Sequence, residues 1–362
     1  LPYQRKTSEP QPPQGLTDCP PLPLVPAATR DDSCGGVTCS SCMTHLIDSF
    51  HSVQVCANVY VCETQDQATV PPPYPTFVAT IPQGRAWISP HQNSWLVCDE
   101  MAVITPDRYI LGDVSRCYPW YLPGCKSPPM GHHSFVERHE LPAPQMFNGN
   151  VAILSSLSGN VYYHWMIDVL PRLGILQKGM ALDRIDYFVV NSLKHKFQRE
   201  TLTALGIPLE KVVESDRVPH LKAHQLIVPS FPGHLDWVSE GSIDFLRQTF
   251  LPTALQSKEK AVHNLLPEPS DWPQRIYISR ADARYRNVLN EAEVVETLGT
   301  FGVTVVTLED LSVADQALLF AHAQLIVSPL GSSLTNLVFC EPGAAVLELF
   351  SAIYLRTDYW MI

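Results

Sequence analysis

The chain has 362 residues, of which 45% are hydrophobic and 17% charged, so its composition is that of a globular protein with room for two domains. Its 36 acidic and 25 basic residues give a net charge of −11, which argues against a protein that coats nucleic acid. No run of about 18 apolar residues occurs in the sequence, so a membrane anchor is expected only as a segment removed ahead of Leu1.

The cysteines are concentrated at one end of the chain. Nine of the ten lie in the first 125 residues, at Cys19, Cys34, Cys39, Cys42, Cys56, Cys62, Cys98, Cys117 and Cys125. An even total and dense clustering favour disulfides formed in an oxidising compartment, with no connectivity assigned. The alternative is zinc bound at Cys39-x-x-Cys42 with Cys34, although no second Cys or His pair follows at the usual distance.

The first 75 residues are predicted to form a proline- and cysteine-rich N-terminal extension. The chain up to about residue 30 is expected to be irregular or extended, and short alternating runs such as 53–61 predict β structure stapled by disulfides. Three consecutive prolines at 71–73 mark its end. Short strands are predicted beyond it, at 95–97 and 101–104.

From about residue 150, strands and helices alternate. In the first half, strands are predicted at 151–154, 187–190 and 226–228, and helices from about 160 and at 194–205. In the second half, strands are predicted at 275–279, 303–308, 325–328 and 346–350, and helices at 240–260, 290–299, 313–322 and 333–340. Apolar strands between helices predict parallel sheets covered on both faces. The predicted domains are 76–232 and 233–362, with a cleft between them.

The first candidate site is a polar trio in the segment 158–168. If this segment is helical, Asn160, His164 and Asp168 are spaced four residues apart and project from one stripe. Asp168 can then hold His164 in one tautomer, which is the arrangement that a general base needs. The alternative is an ordinary hydrogen bond on a helix surface.

The second candidate site is an arginine cluster that follows the predicted strand 275–279. Arg280, Arg284 and Arg286 form a local cationic patch in an acidic chain, at the strand end where open α/β sheets bind ligands. Such a cluster suits a diphosphate. The alternative is a solvated loop paired with nearby acidic residues.

The third candidate site lies at residues 328–336, between a strand and a helix. Gly331, Ser332 and Ser333 allow close approach of the backbone, and free amides at a helix N-terminus attract an anion. The segment contains neither dinucleotide-binding nor P-loop glycine patterns, which disfavours an NAD-linked oxidoreductase. Glu348 ends the next strand, where it can accept hydrogen bonds from ribose hydroxyls.

Three further patterns are absent from the sequence. No D-x-D occurs, so the usual carboxylate clamp for a metal-bound diphosphate is missing. No G-x-S-x-G and no H-E-x-x-H occur either, which disfavours α/β-hydrolase and zinc-protease chemistry. We therefore assign no metal-binding residues.

Together these segments resemble the family-61 glycosyltransferases over about residues 76–360. The resemblance is carried by the run 159–173, by Tyr277-Ile278-Ser279-Arg280 with Arg286-x-x-x-Asn290-Glu291, by Leu308-x-x-Leu311-Ser312 with Gln316, by Gly331-x-x-Leu334-Thr335-Asn336-x-x-Phe339, and by Pro342-Gly343-Ala344-x-Val346-Leu347-Glu348.

This resemblance implies a GT-B fold of two Rossmann-like domains and an inverting transfer from a nucleotide-sugar, expected to be a UDP-sugar, to a glycan or glycoprotein hydroxyl. It implies catalysis by His164 and Asp168. The implied donor-binding residues are Arg280, Arg286, Asn290, Gly331, Ser332, Ser333, Thr335, Asn336 and Glu348, and the implied acceptor-side residues are Asn160, Trp165 and Arg172. No cofactor is expected beyond the nucleotide-sugar co-substrate, and transfer is expected to be metal-independent.

The sequence departs from the family pattern in two places. Leu330 stands where members usually carry His, and members continue with a terminal segment beyond the point where Ile362 ends this chain, so the second domain is expected to be truncated. Two alternative functions remain, a catalytically inactive nucleotide-sugar- or glycan-binding protein of the same fold and a secreted cysteine-rich binding protein. The cysteines favour the lumen of the secretory pathway, with the cytoplasm as the alternative.

Overall fold

The computed structural model describes the backbone and most side chains of one large part of the chain. This part comprises residues 74–90, 100–117, 133, 135, 141–233, 238–260, 272–281, 283, 286–350 and 358–362, with the backbone alone at 252–260 and 361. Before residue 74, it describes only the backbone of three strands. The predictions for the rest of the N-terminal extension, for its disulfides, for the strand at 95–97 and for Arg284 therefore lie outside the described residues.

The strands form three sheets. In chain order the strands are β1 Gln4–Lys6, β2 Ser52–Cys56, β3 Val59–Cys62, β4 Val78–Pro82, β5 Arg85–Ile88, β6 Glu100–Ile104, β7 Tyr109–Leu111, β8 Arg116–Cys117, β9 Gln145–Ile153, β10 Tyr187–Val190, β11 Val212–Glu214, β12 His220–Pro229, β13 Arg275–Ile278, β14 Thr304–Val306, β15 Leu325–Pro329 and β16 Ala345–Leu349. The β2 and β3 strands form an antiparallel pair.

The first sheet is mixed. It has ten strands in the order β1-β7-β6-β5-β12-β9-β10-β11, with β4 also paired to β12 and β8 to β6. The strands β12, β9, β10 and β11 run parallel to one another, whereas β4, β5, β6 and β8 pair antiparallel. The parallel prediction, made for the strands from about residue 150, is confirmed for β9 to β12, and the short strands before β9, for which no direction was predicted, are the antiparallel ones. Residues 4–6 pair with β7.

The second sheet is parallel and has four strands in the order β14-β13-β15-β16. Its two central strands are buried, as their apolar sequences predict. The edge strands β14 and β16 are largely exposed, so the prediction of strands covered on both faces is wrong for these two. The chain leaves β13 toward β14 on one side and returns to β15 on the other, which creates a topological switch point between β13 and β15.

Within the described residues, five helices and several single turns connect the strands. The helix α1 comprises Tyr162–His164, a π-helical turn at Trp165–Val169 and Leu170–Gly179, and the others are α2 Lys196–Ala204, α3 Glu240–Lys260, α4 Glu291–Gly299 and α5 Val313–His322. Short 3-10 segments include Ser332–Phe339 and Asp358–Met361. Ser312 caps α5 by accepting a hydrogen bond from the Asp315 amide at 3.1 Å, which confirms the predicted start of this helix.

The main hydrophobic core joins the two larger sheets. One continuous cluster of buried side chains includes Trp165 and Leu173 from α1, Leu246 from α3, and Leu319 and Phe320 from α5. Helix α3 packs against both α1 and α5 and so lies between the two halves. The chain is thus an α/β protein in which one apolar core supports both halves of the candidate site.

Candidate functional site

The loop between β9 and α1 is fixed by the carboxyl ends of neighbouring strands. The amides of Leu154 and Ser155 donate to the Val189 carbonyl at 2.8 and 3.0 Å. The Asn191 side chain accepts from the Ser156 amide at 3.1 Å and donates to the Ser156 carbonyl at 2.8 Å. A Cβ at Gly159 would lie 2.0 Å from Asn191 Oδ1, so this close approach requires glycine.

Asn160 lies in the turn before α1, not in the helix, so the predicted three-residue helical stripe is wrong at its first member. The Asn160 side chain is buried and donates to Asp216 Oδ2 at 2.7 Å. It accepts from Ser192 Oγ at 2.7 Å and from Gln198 Nε2 at 3.1 Å. Three protein groups thus use the Asn160 amide, which ties the loop to the next two strand ends.

His164 and Asp168 form the pair that the sequence predicts. His164 Nδ1 lies 2.8 Å from Asp168 Oδ2, and the two side chains are only 15% and 7% exposed. The pair spans the π-helical turn of α1, a feature that is frequent at functional sites. When a carboxylate accepts from Nδ1–H, the neutral imidazole carries its basic lone pair on Nε2. The arrangement can therefore take a proton from a nearby hydroxyl.

Trp165 and Arg172, the other two predicted acceptor-side residues, are fully buried. Trp165 Nε1 donates to Thr201 Oγ1 at 2.9 Å. Arg172 donates to the Ser155 carbonyl and, at 2.7 Å, to the Pro229 carbonyl, so it ties the diverging ends of β9 and β12. Burial lowers the pKa of the Arg172 guanidinium to about 9, which leaves it charged at neutral pH.

The structure brings Arg280 and Gly331 together at the switch point of the second sheet. Arg280 follows β13 and Gly331 follows β15, and a Cβ added at Gly331 would lie 2.2 Å from Arg280 Nη1. Burial and the neighbouring charge of Arg286 lower the pKa of Arg280, and Glu309 and Tyr359 partly oppose this shift. The cationic side chain therefore lies where open α/β sheets bind ligands.

The other residues of the arginine loop differ in their exposure. Arg286 is exposed and adopts a left-handed backbone conformation with φ 61°, close enough for its charge to act on Arg280. Asn290 is exposed and its side chain donates to Glu293 at 3.1 Å. Ser279 donates to Glu291 at 2.9 Å, so the first residue of α4 holds the end of β13.

The 3-10 segment Ser332–Phe339 carries four of the predicted donor-binding residues. Ser332 and Ser333 are half-buried, whereas Thr335 and Asn336 are fully buried. Within the described part of the chain, the Ser333 and Thr335 hydroxyls are buried and make no hydrogen bond. Asn336 Oδ1 accepts from the Tyr162 hydroxyl at 2.7 Å, so this side chain contacts the start of α1.

Glu348 lies at the end of β16, beside the switch point. Its Oε2 accepts from Trp360 Nε1 at 3.2 Å, and its Oε1 is buried without a hydrogen bond to any residue that the structure describes. Burial raises the pKa of Glu348 to about 8; the bond from Trp360 lowers it, and the nearby Asp358 raises it. The carboxyl group of Glu348 is thus mostly protonated, and so uncharged, near neutral pH.

The two halves of the site meet through aromatic residues that sequence reasoning missed. The Tyr163 ring lies 5.1 Å from the His164 ring and 5.7 Å from the Tyr359 ring. Tyr359 in turn lies close enough to Arg280 to affect its pKa. Tyr163 could have been noted because it precedes His164 in the family-like run. No sequence signal connects Tyr163 or His164 to position 359, however.

No group of three or more His, Cys, Asp or Glu side chains that could hold a metal ion occurs among the described residues. No described helix is long and apolar enough to cross a bilayer. Metal-independent transfer remains a prediction.

A half-buried His–Asp pair can act in proton transfer, and an arginine at the switch point of an α/β sheet can bind an anion. A sequence model of the glycosyltransferase 61 family matches residues 162–347, just over half of the chain. The chain therefore belongs to the glycosyltransferase 61 family.

Two curated proteins share a shorter region with the chain. They are the EGF domain-specific O-linked N-acetylglucosamine transferases of Rattus norvegicus and Mus musculus. Each is 33% identical over 88 residues, which correspond to 23% of this chain and 17% of the relative. The match thus spans less than a fifth of each relative's length.

Proposed function

We propose that the protein is an inverting glycosyltransferase that moves a sugar from a UDP-sugar to a hydroxyl group of a glycan or glycoprotein. The observation that carries the proposal is the His164–Asp168 hydrogen bond of 2.8 Å in a family-61 chain. The supporting context is the aromatic contact that runs from His164 through Tyr163 to Tyr359, which lies near Arg280.

In this mechanism His164 Nε2 takes the proton from the acceptor hydroxyl. The acceptor oxygen attacks the anomeric carbon from the face opposite the leaving group, and the bond from that carbon to the diphosphate oxygen breaks. The configuration inverts, and the nucleoside diphosphate leaves with the electron pair. Asp168 stabilises the imidazolium that forms.

The leaving group is negatively charged, and we assign its stabilisation to the switch point of the second sheet. Arg280 and Arg286 supply positive charge, and the amides that follow Gly331 supply hydrogen bonds. The buried Ser333 hydroxyl and Glu348 Oε1 have no hydrogen bond within the described residues, and we assign Glu348 to the ribose. These groups make a bound metal unnecessary, in agreement with the missing D-x-D.

We extend the proposal to the architecture and compartment. A GT-B arrangement, with a donor half at 233–362 and an acceptor half at 76–232, accounts for a base in one half and cationic groups in the other. The relatives named as O-linked N-acetylglucosamine transferases make this sugar the first to test, with hexoses and pentoses as further candidates. The cysteine-rich N-terminal region favours the lumen of the secretory pathway.

The test combines transfer and binding. The protein is incubated with a panel of UDP-sugars and with glycopeptide and EGF-domain acceptors, and the products are identified by mass spectrometry. We expect His164→Gln to lower transfer by at least about 100-fold, because a positioned base contributes about that much, while UDP affinity in calorimetry stays unchanged. Arg280→Ala should weaken UDP binding by about tenfold or more.

The control variant is His224→Gln, which changes an exposed histidine of β12 and should preserve both transfer and binding. Full activity in His164→Gln would remove this residue as the base. Binding of UDP-sugars without any transfer would instead identify a catalytically inactive binding protein, and the absence of both would contradict the proposed function.

A further inference from the structure

A chain of three side chains, of which Asn336 and Gln316 are buried and Tyr162 is half-buried, links the start of α1 to the second half of the protein. The Tyr162 hydroxyl donates to Asn336 Oδ1 at 2.7 Å, and Asn336 Nδ2 donates to Gln316 Oε1 at 2.9 Å. Gln316 Nε2 then donates to the Leu308 carbonyl at 3.0 Å. We call Tyr162, Asn336 and Gln316 the tyrosine relay.

The direction of every bond in the tyrosine relay is fixed by its last member. A backbone carbonyl can only accept, so the Gln316 amide must present its NH2 group to Leu308 and its oxygen to Asn336. Asn336 must then present its own oxygen to Tyr162, which leaves the phenol as the donor. Burial raises the pKa of Tyr162 far above its usual range, so the phenol keeps its proton.

The tyrosine relay is buried at both amides, so breaking it is costly. Asn336 is fully buried, and Gln316 is buried in α5. Loss of one partner would leave a buried amide oxygen without a hydrogen bond, which destabilises the folded protein. Tyr162 is also held by its ring, which packs edge-on against Phe197 at 5.1 Å.

The relay begins two residues before His164, in the first turn of α1. No side chain caps this turn. Its position is therefore set from outside the helix, by Tyr162 through Asn336 and by Tyr163 through its ring contact with Tyr359. At the other end, Asn336 belongs to the 3-10 segment that starts directly after Gly331, beside Arg280.

From this geometry we infer that Tyr162 is a positioning residue, which sets the orientation of the His164–Asp168 pair from the half of the protein that carries Arg280 and Gly331. The inference rests on the proposed function, because it assigns to Tyr162 the task of aligning the proposed base with the proposed diphosphate site. Tyr162 itself does not take part in proton transfer. Through the relay, the segment after Gly331 and the turn that carries His164 are held in a fixed position relative to each other.

The test uses Tyr162→Phe, which removes only the hydroxyl group and keeps the ring contact with Phe197. We expect kcat to fall by about tenfold or more, because small misplacements of catalytic groups are costly, while the KM for the UDP-sugar and the Kd of UDP change less than twofold. We also expect 15N NMR of the histidine rings to show His164 shift from a single Nδ1-protonated tautomer to a mixture. A purely structural role would lower Tm without changing the tautomer.

Two further variants complete the experiment. Gln316→Met breaks the far end of the relay and should change kcat and the tautomer in the same direction. Ser115→Ala is the matched control, because it removes a buried hydrogen bond of 2.9 Å to the Val103 amide in the antiparallel part of the first sheet. It should lower Tm and leave kcat and the His164 tautomer unchanged.

Wild-type kcat together with an unchanged tautomer in Tyr162→Phe would overturn the inference. The tautomer is measured without turnover, so it tests the relay even if the wild-type protein transfers no sugar. In that case the proposed function fails and the positional link is judged on the NMR result alone.

Discussion

Glu348 is a carboxyl group whose surroundings change its chemistry. Burial raises its pKa from 4.5 to about 8, the hydrogen bond from Trp360 opposes this shift, and Asp358 adds to it. Between these two pH values the unfolded chain carries an ionised Glu348 while the folded protein keeps it protonated. Folding is therefore disfavoured progressively as the pH rises from about 4.5 to about 8.

We predict that Glu348→Gln relieves this pH dependence. The amide side chain cannot ionise, and it keeps an oxygen that can accept the hydrogen bond from Trp360. The difference in Tm, variant minus wild type, should therefore increase as the pH rises from 5 to 8. Differential scanning calorimetry at several pH values measures this change. The control is Glu210→Gln, which changes an exposed residue. A Tm difference for Glu348→Gln that does not change with pH would contradict the prediction.

At the scale of secondary structure, different parts of α1 have different functions. Its first turns carry Tyr162, His164 and Asp168, while Arg172 one turn later holds the ends of β9 and β12. The Arg172 guanidinium also lies 4.7 Å from the centre of the Phe231 ring. The helix is thus anchored to the sheet by an arginine that the sequence predicts to bind an acceptor.

We predict that Arg172→Met destabilises the protein by about 2–5 kcal/mol, because two buried carbonyls lose their donor. Urea unfolding followed by circular dichroism gives the free energy. The matched control is Arg217→Met, which removes an exposed arginine paired with Glu214 and should change stability by less than about 0.5 kcal/mol. Similar small losses in both variants would show that Arg172 does not hold these strands.

At the scale of the whole molecule, the two larger sheets share one apolar core. Helix α3 packs between α1 and α5, and the cluster of buried side chains is continuous across them. Direct contacts add to this core, since Glu200 on α2 accepts from the Val313 amide at the start of α5 at 3.1 Å. The two halves are therefore expected to unfold together.

We predict that Leu319→Ala, a core truncation in α5, lowers stability by about 2–5 kcal/mol and shifts the unfolding of both halves equally. Trp165 is a fluorescence probe of the first half and Trp272 of the second. Replacing each tryptophan by Phe in turn shows which part of the fluorescence change it reports. Leu289→Ala changes a fully exposed leucine and should shift neither transition. Separate transitions for the two probes would contradict a shared core.

Much of the second half was predictable from sequence. The α5 helix and the strands β13 and β15 follow from apolar runs and capping residues, which act over a few neighbouring positions. The same local reasoning gave no direction for β4 to β8, which pair antiparallel, because short apolar runs do not encode strand direction. It also placed Asn160 in α1, although the turn before the helix is fixed by Asp216, Ser192 and Gln198.

The sequence by itself determined the excess of acidic residues, the alternation of strands and helices, and the four-residue spacing of His164 and Asp168. These features depend on residue type and on neighbours close in the chain. Only the tertiary structure decided that Gly331 lies against Arg280, that Tyr162 reaches Asn336 and that Tyr359 lies between the two halves of the site. Such contacts join residues up to about 200 positions apart, and their free energy comes from burial and hydrogen bonds that exist only after the sheets have packed.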